Sequence, residues 1–194
     1  MAKPRIVLFT RWPEPGKAKT RLIPALGASG AAALHRTLTE RTVATLRASG
    51  MPVEIRFTGA PRERFTDWLG GDLAYAEQGA GDLGERMRRA SSPCPVIFVG
   101  SDCPDMQPGH LARAAAALAD TPVAIGPAED GGYWLIGLAE PQDYLFAGIV
   151  WGTNSVLAGT QARLSAHDIR PAMLETLSDC DHPEDLARWP ELAV

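Results

Sequence analysis

Val96-Ile97-Phe98-Val99-Gly100-Ser101-Asp102-Cys103-Pro104-Asp105 is the stretch on which the fold of this 194-residue chain turns. Its first four residues are all apolar and rich in β-branched side chains, which predicts a strand buried on both faces, as in the centre of a parallel α/β sheet. The run ends on an acid. In open α/β sheets ligands sit beyond the carboxyl ends of the strands, so Asp102 stands where such a protein keeps a metal ligand or a hydroxyl acceptor. The plainer reading is that Asp102 caps a turn, a common use of Asp. Pro104 stops the strand and Pro108 opens the next helix.

Upstream, Ile6 to Thr10 reads as a first buried strand, followed by Arg11-Trp12-Pro13-Glu14-Pro15-Gly16-Lys17-Ala18-Lys19-Thr20-Arg21. Two prolines and a glycine prevent helix here, so the cations belong to an ordered loop at the carboxyl end of the first strand. Gly16 lets a backbone approach closely, and Arg11, Lys17, Lys19 and Arg21 have the charge to hold phosphate oxygens. The loop is not a Walker A sequence, because Arg11 stands at the first glycine position and Ala18 where Ser or Thr is required. A solvated basic loop is the alternative. From Ala28 to Ser49 the pattern becomes helical, with Ala31, Leu34, Leu38 and Leu46 on one face, Ser29 as a cap and Gly50 as the stop. A strand at Val53 to Thr58, a helix at Pro61 to Leu69 and a weaker strand at Leu73 to Glu77 follow. This alternation predicts a mostly parallel sheet with helices on both faces.

Gly79-Ala80-Gly81-Asp82-Leu83-Gly84 matches G-x-G-x-x-G, with Asp102 eighteen residues beyond Gly84. One reading is a dinucleotide-binding turn with pyrophosphate on the helix N-terminus, which makes an NAD-dependent oxidoreductase a competing function. The other reading is a capping box, Asp82 with Glu85. The match opens the third strand–helix unit instead of the first, which weighs against the dinucleotide.

Downstream of the central strand, Pro108 to Ala119 reads as an alanine-rich helix and Val123 to Pro127 as a strand. Glu129-Asp130-Gly131-Gly132-Tyr133-Trp134 then places two carboxylates before two glycines and an aromatic strand. This is either a ligand-facing turn or a simple hairpin, for which Asp-Gly is a standard signal. Trp151, ahead of a helix from about Ser155 to Ala166, suits stacking on a sugar or base, or core packing. Near the end, Asp181 precedes a proline-initiated helix whose Glu184 and Asp185 are explained by the helix dipole. Asp179 and Asp181, two apart, have the spacing to complete a metal site.

Several classes are excluded or disfavoured by composition. A net charge of −4 and the absence of Lys/Arg runs longer than two give no nucleic-acid or anionic-membrane surface. Cys94, Cys103 and Cys180 are odd in number and lack C-x-x-C spacing, which suits a reducing cytoplasm. Four scattered histidines offer no zinc-hydrolase motif, and no G-x-S-x-G elbow is present. The apolar run near the N-terminus is too short for a membrane span. A soluble, cytoplasmic protein of one domain over residues 1–194 is expected, and oligomeric state is not legible.

Taken together, T-R-W-P-E-P-G-K-A-K-T-R-L at 10–22, D-L-G-E-R-M at 82–87, V-G-S-D-C-P-D at 99–105, E-D-G-G-Y-W-L-I-G at 129–137 and W-G-T at 151–153 resemble one family. It is the radical-SAM/selenodomain-associated transferase 1 family, some of whose members are labelled arsenosugar-biosynthesis glycosyltransferases. The resemblance implies a glycosyltransferase-A-like, nucleotide-diphospho-sugar transferase fold. It also implies that the loop from Arg11 to Arg21 holds nucleotide phosphates and that Asp102 is a metal-binding acid. Asp181 in D-H-P-E-D-L matches the acid of a D-T-P-E-D-L motif in sugar-acid cytidylyltransferases, with His182 in place of the threonine. Phe9-Thr10-Arg11-Trp12-Pro13 stands where superfamily nucleotidylyltransferases often carry an L-A-G-G loop, which leaves the reaction open between two types.

The expected function is therefore a metal-dependent transfer from a nucleotide-sugar to a small-molecule acceptor, with nucleotidylyl transfer as the alternative. A non-catalytic nucleotide-binding protein also stands. Mg²⁺ or Mn²⁺ suits the oxygen ligands Asp102 and Asp181. Asp102, Glu129 and Asp130 are the expected catalytic residues, and Arg11, Gly16, Lys17, Lys19, Arg21, Asp82 and Gly84 the nucleotide-binding ones. Gly131, Gly132, Tyr133 and Trp151 are expected to hold the substrate.

Overall fold

A computed structural model describes residues 3–192. Seven strands form one sheet in the order β3-β2-β1-β4-β6-β5-β7. They are β1 (Arg5–Arg11), β2 (Val53–Thr58), β3 (Ala74–Glu77), β4 (Val96–Val99), β5 (Val123–Pro127), β6 (Tyr133–Leu138) and β7 (Ala172–Met173). Five α-helices, α1 (Ile23–Ala48), α2 (Arg62–Leu69), α3 (Leu83–Ala90), α4 (Pro108–Ala117) and α5 (Val156–Ala166), complete the α/β architecture.

Strand β4 is the centre predicted from its composition: all four of its residues are buried. Alternation along the strands sorts the core into two layers. Ile6, Leu8, Ile97 and Val99 pack with Val43 and Leu46 of α1, Phe65 of α2 and Leu111 of α4. Val7, Val96 and Phe98 point the other way, onto Met87 of α3, Leu164 of α5 and Phe146. Each such fully buried large side chain contributes roughly 1.5–3 kcal/mol relative to exposure. The helical face expected of α1 is the buried one, with Ala31, Leu34, Leu38 and Leu46 all inside.

Strands β1 to β4 are mutually parallel where they pair, whereas β6 runs antiparallel to both β4 and β5. The sheet is mostly parallel, as expected, and this one reversal makes the site. Because β6 enters where β4 leaves, Gly100 N–H donates to Trp134 O at 3.1 Å, and Asp130 and Gly132 open on the same rim of the sheet as Asp102. The two-residue strand β7, which no sequence pattern announced, pairs parallel to β5. It sends the following segment along the same rim, pinned by Leu177 N–H to Pro127 O at 3.1 Å and Cys180 N–H to Asp102 O at 2.8 Å. Main-chain bonds thus carry Asp179 and Asp181 to Asp102.

Several element ends shift by one or two residues from the expected bounds, and two elements differ more. Helix α1 begins at Ile23, ahead of the expected Ala28, with Gly27 at φ 68°, ψ 168° breaking its regularity. The proline-initiated last helix is a 3₁₀ segment, Pro183–Arg188. No helix among the described residues is long and apolar enough to cross a membrane.

Candidate functional site

Two cavities open at the carboxyl rim of the sheet and share Phe9, Ser101, Asp102 and Asp181. The first, about 570 Å³, lies over the ends of β1 to β3 and is lined by Arg11, Lys17, Lys19, Arg21 and Arg86, with Thr58, Gln78 and His35. The second, about 410 Å³, lies over β4 and β6; Asp130 and Asp179 join the shared acids, and Leu83, Met87, Phe98, Tyr133, Trp134 and Trp151 form its apolar walls. No Lys, Arg or His is among its described lining residues. Cations and acids expected from sequence are thus brought to one rim and segregated by sign.

At the junction sits Lys19, whose ammonium is held by carboxylates in the free chain. Its backbone is left-handed, φ 48°, ψ 46°, a conformation that costs a non-glycine residue about 1–2 kcal/mol. Buried Ala18 and Leu22 anchor the segment on either side, and the turn directs the lysine inward. The ammonium lies 2.7 Å from Asp102 Oδ1, 3.0 Å from Asp181 Oδ1 and 2.6 Å from Cys180 O, with its side chain only 4% exposed. An ammonium has three N–H donors, and three acceptors take them. Burial opposes the charge, but Asp102 and then Asp181 outweigh it and hold the proton more firmly than in an ordinary lysine. For Asp102 burial likewise opposes ionisation, and Lys19 prevails to keep its carboxyl below the usual carboxylate range.

Asp181 is placed by its neighbours. Asp185 Oδ2 accepts from the N–H groups of Asp181 at 2.9 Å and His182 at 2.7 Å, the N-terminal cap of the Pro183–Arg188 turn. Sequence reading gave Asp185 only a dipole role; the acid at the third position after His182 was the signal for this clamp. Arg21 Nη1 donates to Asp181 Oδ2 at 3.0 Å. Lys17 is exposed and 3.1 Å from Glu14, and Arg11 faces the cavity while its carbonyl accepts from His35 Nε2 at 3.0 Å. Because a carbonyl only accepts, Nε2 carries the hydrogen; burial lowers the His35 pKa, and the ring stays neutral. Gly16, at φ 80°, makes the turn that leads into Lys17. Its place is in the backbone path and not in the cavity wall.

His35, Gln78 and Arg86 were not singled out by sequence. Gln78 donates to Thr10 O at 2.8 Å and Arg56 O at 3.0 Å and accepts from Arg86 Nη1 at 2.9 Å, which fixes the cavity floor. A polar residue directly after a strand end was the available signal.

The glycine-rich segment 79–84 is a helix entry. Asp82 accepts from Glu85 N–H at 2.8 Å and Glu85 reaches back to Asp82 N–H at 2.9 Å, the capping box of α3. The chain's own carboxylates therefore occupy the N-terminus where a pyrophosphate would bind. Gly84 packs against Trp151, and a methyl group added at this glycine would lie only 2.8 Å from the indole Nε1. Neither Asp82 nor Gly84, both expected to bind nucleotide, lines the cationic cavity: the first caps α3 and the second packs under Trp151.

Glu129, expected to be catalytic, stands apart from Asp130. Its carboxylate lies 2.6 Å from Arg188 at the surface and lines neither cavity. Hydrogen bonding to Arg188 and then Ser178 lowers its pKa. Glu129→Gln is expected to leave the urea unfolding midpoint essentially unchanged, because a solvent-exposed ion pair contributes little, and to change transfer rate by less than about twofold. Asp130 does face the acidic cavity, with Oδ1 accepting from Gly132 N–H at 2.8 Å. Gly131 is at φ 87°, with Asn154 backbone against the position a side chain would take. Tyr133 and Trp151 meet edge to face, ring centroids 6.4 Å apart, and line the same cavity.

Asp179 completes the acids. Burial, then Asp130 and Asp181, push its pKa up to about 6. The folded protein therefore binds a proton there that the unfolded chain, titrating near about 3.9, releases, and stability falls as pH rises between those values. Asp179→Asn is expected to melt above the parent at pH 7.5 in EDTA, with the gain vanishing by about pH 4. Equal melting differences at both pH values would refute the assignment.

For a divalent cation the donor set is suitable: Asp102 Oδ1 and Asp181 Oδ1 converge within 3.0 Å of one point, now the Lys19 ammonium. Among the described residues no cluster of three His, Cys, Asp or Glu could hold a metal ion. Two carboxylates completed by phosphate and water are, however, the usual Mg²⁺ arrangement.

The fold and its rim site define the class of nucleotide-diphospho-sugar transferase-like α/β proteins. Within it, the chain belongs to the DUF2064 family, described as an uncharacterized protein conserved in bacteria, whose profile matches residues 41–153. A crystal structure from Desulfovibrio desulfuricans G20, provisionally assigned as a nucleotide-diphospho-sugar transferase, is 33% identical. It superposes with a TM-score of 0.89, covering 96% of this chain and 85% of that one. CMP:2-keto-3-deoxy-manno-octonic acid synthetase complexed with CTP shares the fold at 15% identity, TM-score 0.58, with 98% of each chain covered. Rv0371c of Mycobacterium tuberculosis H37Rv, in complex with manganese, does so at 17% identity, TM-score 0.57, covering 98% of this chain and 99% of that one. No curated protein matches the sequence.

Proposed function

We propose that this chain is an enzyme that transfers a glycosyl group from a nucleotide-sugar to a hydroxyl of a small-molecule acceptor, with Mg²⁺ or Mn²⁺ on Asp102 and Asp181. The observation that carries this reading is the pair of cavities of opposite charge that meet at those two acids. The cationic cavity suits a nucleoside diphosphate: Arg11, Lys17, Arg21 and Arg86 line it and would bind phosphate oxygens by charge-assisted hydrogen bonds. In the acidic cavity, Asp130 is the group to orient an acceptor hydroxyl and take its proton, with Asp179 beside it. A divalent ion, when bound, would neutralise charge developing on the departing diphosphate. Tyr133 and Trp151 offer walls on which an acceptor packs.

Nucleotidylyl transfer, supported by the likeness to the CTP-bound synthetase, uses the same phosphate and metal groups. It requires an anionic acceptor in the cases where that acceptor is phosphorylated or a sugar acid, and an acid-lined cavity without a described basic side chain repels one. The resemblance to the radical-SAM/selenodomain-associated transferases also favours glycosyl transfer. NAD-dependent oxidoreduction has no support, since α3 is capped by its own carboxylates.

The test combines melting shifts with UDP, GDP, CTP and NAD, each with and without Mn²⁺, and product analysis. Stabilisation by a diphosphate with Mn²⁺, and nucleoside diphosphate release from a nucleotide-sugar, are the expected results. Pyrophosphate release from a nucleoside triphosphate would move the assignment to nucleotidylyl transfer.

A further inference from the structure

We infer that Lys19 is a displaceable counter-ion: it occupies the metal seat in the free protein and yields it only when a nucleotide brings phosphates to receive the ammonium. This rests on the reading of the cationic cavity as a nucleotide site and deepens it. Three observations carry it. All three N–H donors of Lys19 are committed, to Asp102, Asp181 and Cys180, at 2.7, 3.0 and 2.6 Å. The two carboxylate oxygens that converge on a cation are the same two that hold the ammonium, so both cannot be served at once. The residue also borders the cationic cavity, so its flexible stem needs only a side-chain rotation to face phosphate.

The backbone supports exchange by rotation and not by loop movement. Ala18 and Leu22 are fully buried and hold the segment, and the left-handed turn at Lys19 keeps the stem directed to the junction of the cavities. An ammonium and a divalent ion within about 3 Å of the same oxygen would repel strongly, so occupation by one expels the other. Phosphate oxygens restore the hydrogen bonds the ammonium gives up. The consequence is coupling between two ligands: metal and nucleotide each bind better when the other is present, by the same factor. Free metal alone meets a seat already filled, which makes the expected ligand a metal–nucleotide complex.

The test is Mn²⁺ uptake by the free protein, followed by the electron paramagnetic resonance signal of unbound Mn²⁺, which requires no turnover. Wild type is expected to take up Mn²⁺ weakly, and Lys19→Met at least about tenfold more tightly, one ion per chain. Adding Asp102→Asn to Lys19→Met should abolish that uptake, which locates the ion. GDP or UDP should raise Mn²⁺ affinity at least about tenfold in wild type and by less than about threefold in Lys19→Met. Should Lys19→Met fail to fold by circular dichroism, Lys19→Gln, which keeps a donor for Cys180 O, is read in the same way. Equal Mn²⁺ affinity in wild type and variant without nucleotide overturns the proposal. If the variant gains affinity but no nucleotide strengthens Mn²⁺ binding or shifts melting in either protein, the counter-ion role stands and the nucleotide reading fails.

Discussion

Asp102→Asn is expected to lower the rate of nucleoside diphosphate release between about 10²- and 10³-fold, the loss seen when one preorganised electrostatic partner is removed from a reaction centre. The substitution keeps the size of the side chain and removes its charge, so the position at the end of β4 survives while the metal seat does not. It also leaves the Lys19 ammonium, 4% exposed, with Asp181 as its remaining carboxylate. Removing one partner of a fully buried ion pair costs about 3–5 kcal/mol. Asp102 is 45% exposed, and solvent screening reduces the expected loss to about 2 kcal/mol. Urea unfolding reads the stability and a Mn²⁺-dependent melting shift with GDP or UDP reads the seat. A variant that keeps this shift would remove Asp102 from the metal site.

Gly131→Ala is the second large effect, and it acts through the backbone. At φ 87° an L-residue costs about 1–2 kcal/mol, and the added methyl would run into the main chain of Asn154. A total loss of about 3 kcal/mol is expected, with the turn displaced and Asp130 moved out of register with the acidic cavity. The acceptor KM should then rise about tenfold while the melting shift with nucleotide and Mn²⁺ is retained. Gly16→Ala is the control: its φ is 80°, but nothing lies within 4 Å of the new methyl, so only the backbone cost of about 1–2 kcal/mol remains. Equal losses for the two variants would show that contact with Asn154 contributes nothing.

Local composition made much of the fold legible. The apolar run Val96–Val99 announces a strand buried on both faces because only a central strand buries every side chain. Ala31, Leu34, Leu38 and Leu46 mark the inner face of α1 for the same reason, apolar spacing that matches the helical period. Asp82 and Glu85 spelled a capping box, and they form one. Strand β7 escaped notice because two residues carry no period, and its pairing with β5 depends on a neighbour distant in sequence.

The residue types of the candidate site were legible, but their assignments were not. Lys17, Lys19 and Arg21 read alike as phosphate ligands from a basic loop; only the left-handed turn at Lys19 separates the one that faces inward. Glu129 and Asp130 read alike as acids before a glycine pair, and the backbone direction sends one to Arg188 and the other to a cavity. Adjacent side chains diverge, and sequence adjacency is blind to which of two acids meets a distant partner.

What the sequence by itself determined is therefore the alternation of strands and helices, the buried central strand ending in Asp102, and the presence of cations and acids at strand ends. Hydrophobic period and backbone chemistry are local properties, readable without knowing where the chain goes. What only the tertiary structure decided is the meeting of Lys19, Asp102 and Asp181, and the separation of positive from negative walls. Those depend on the reversed β6 and on the main-chain bonds that hold residues 177–180 along the rim, contacts between segments far apart in sequence.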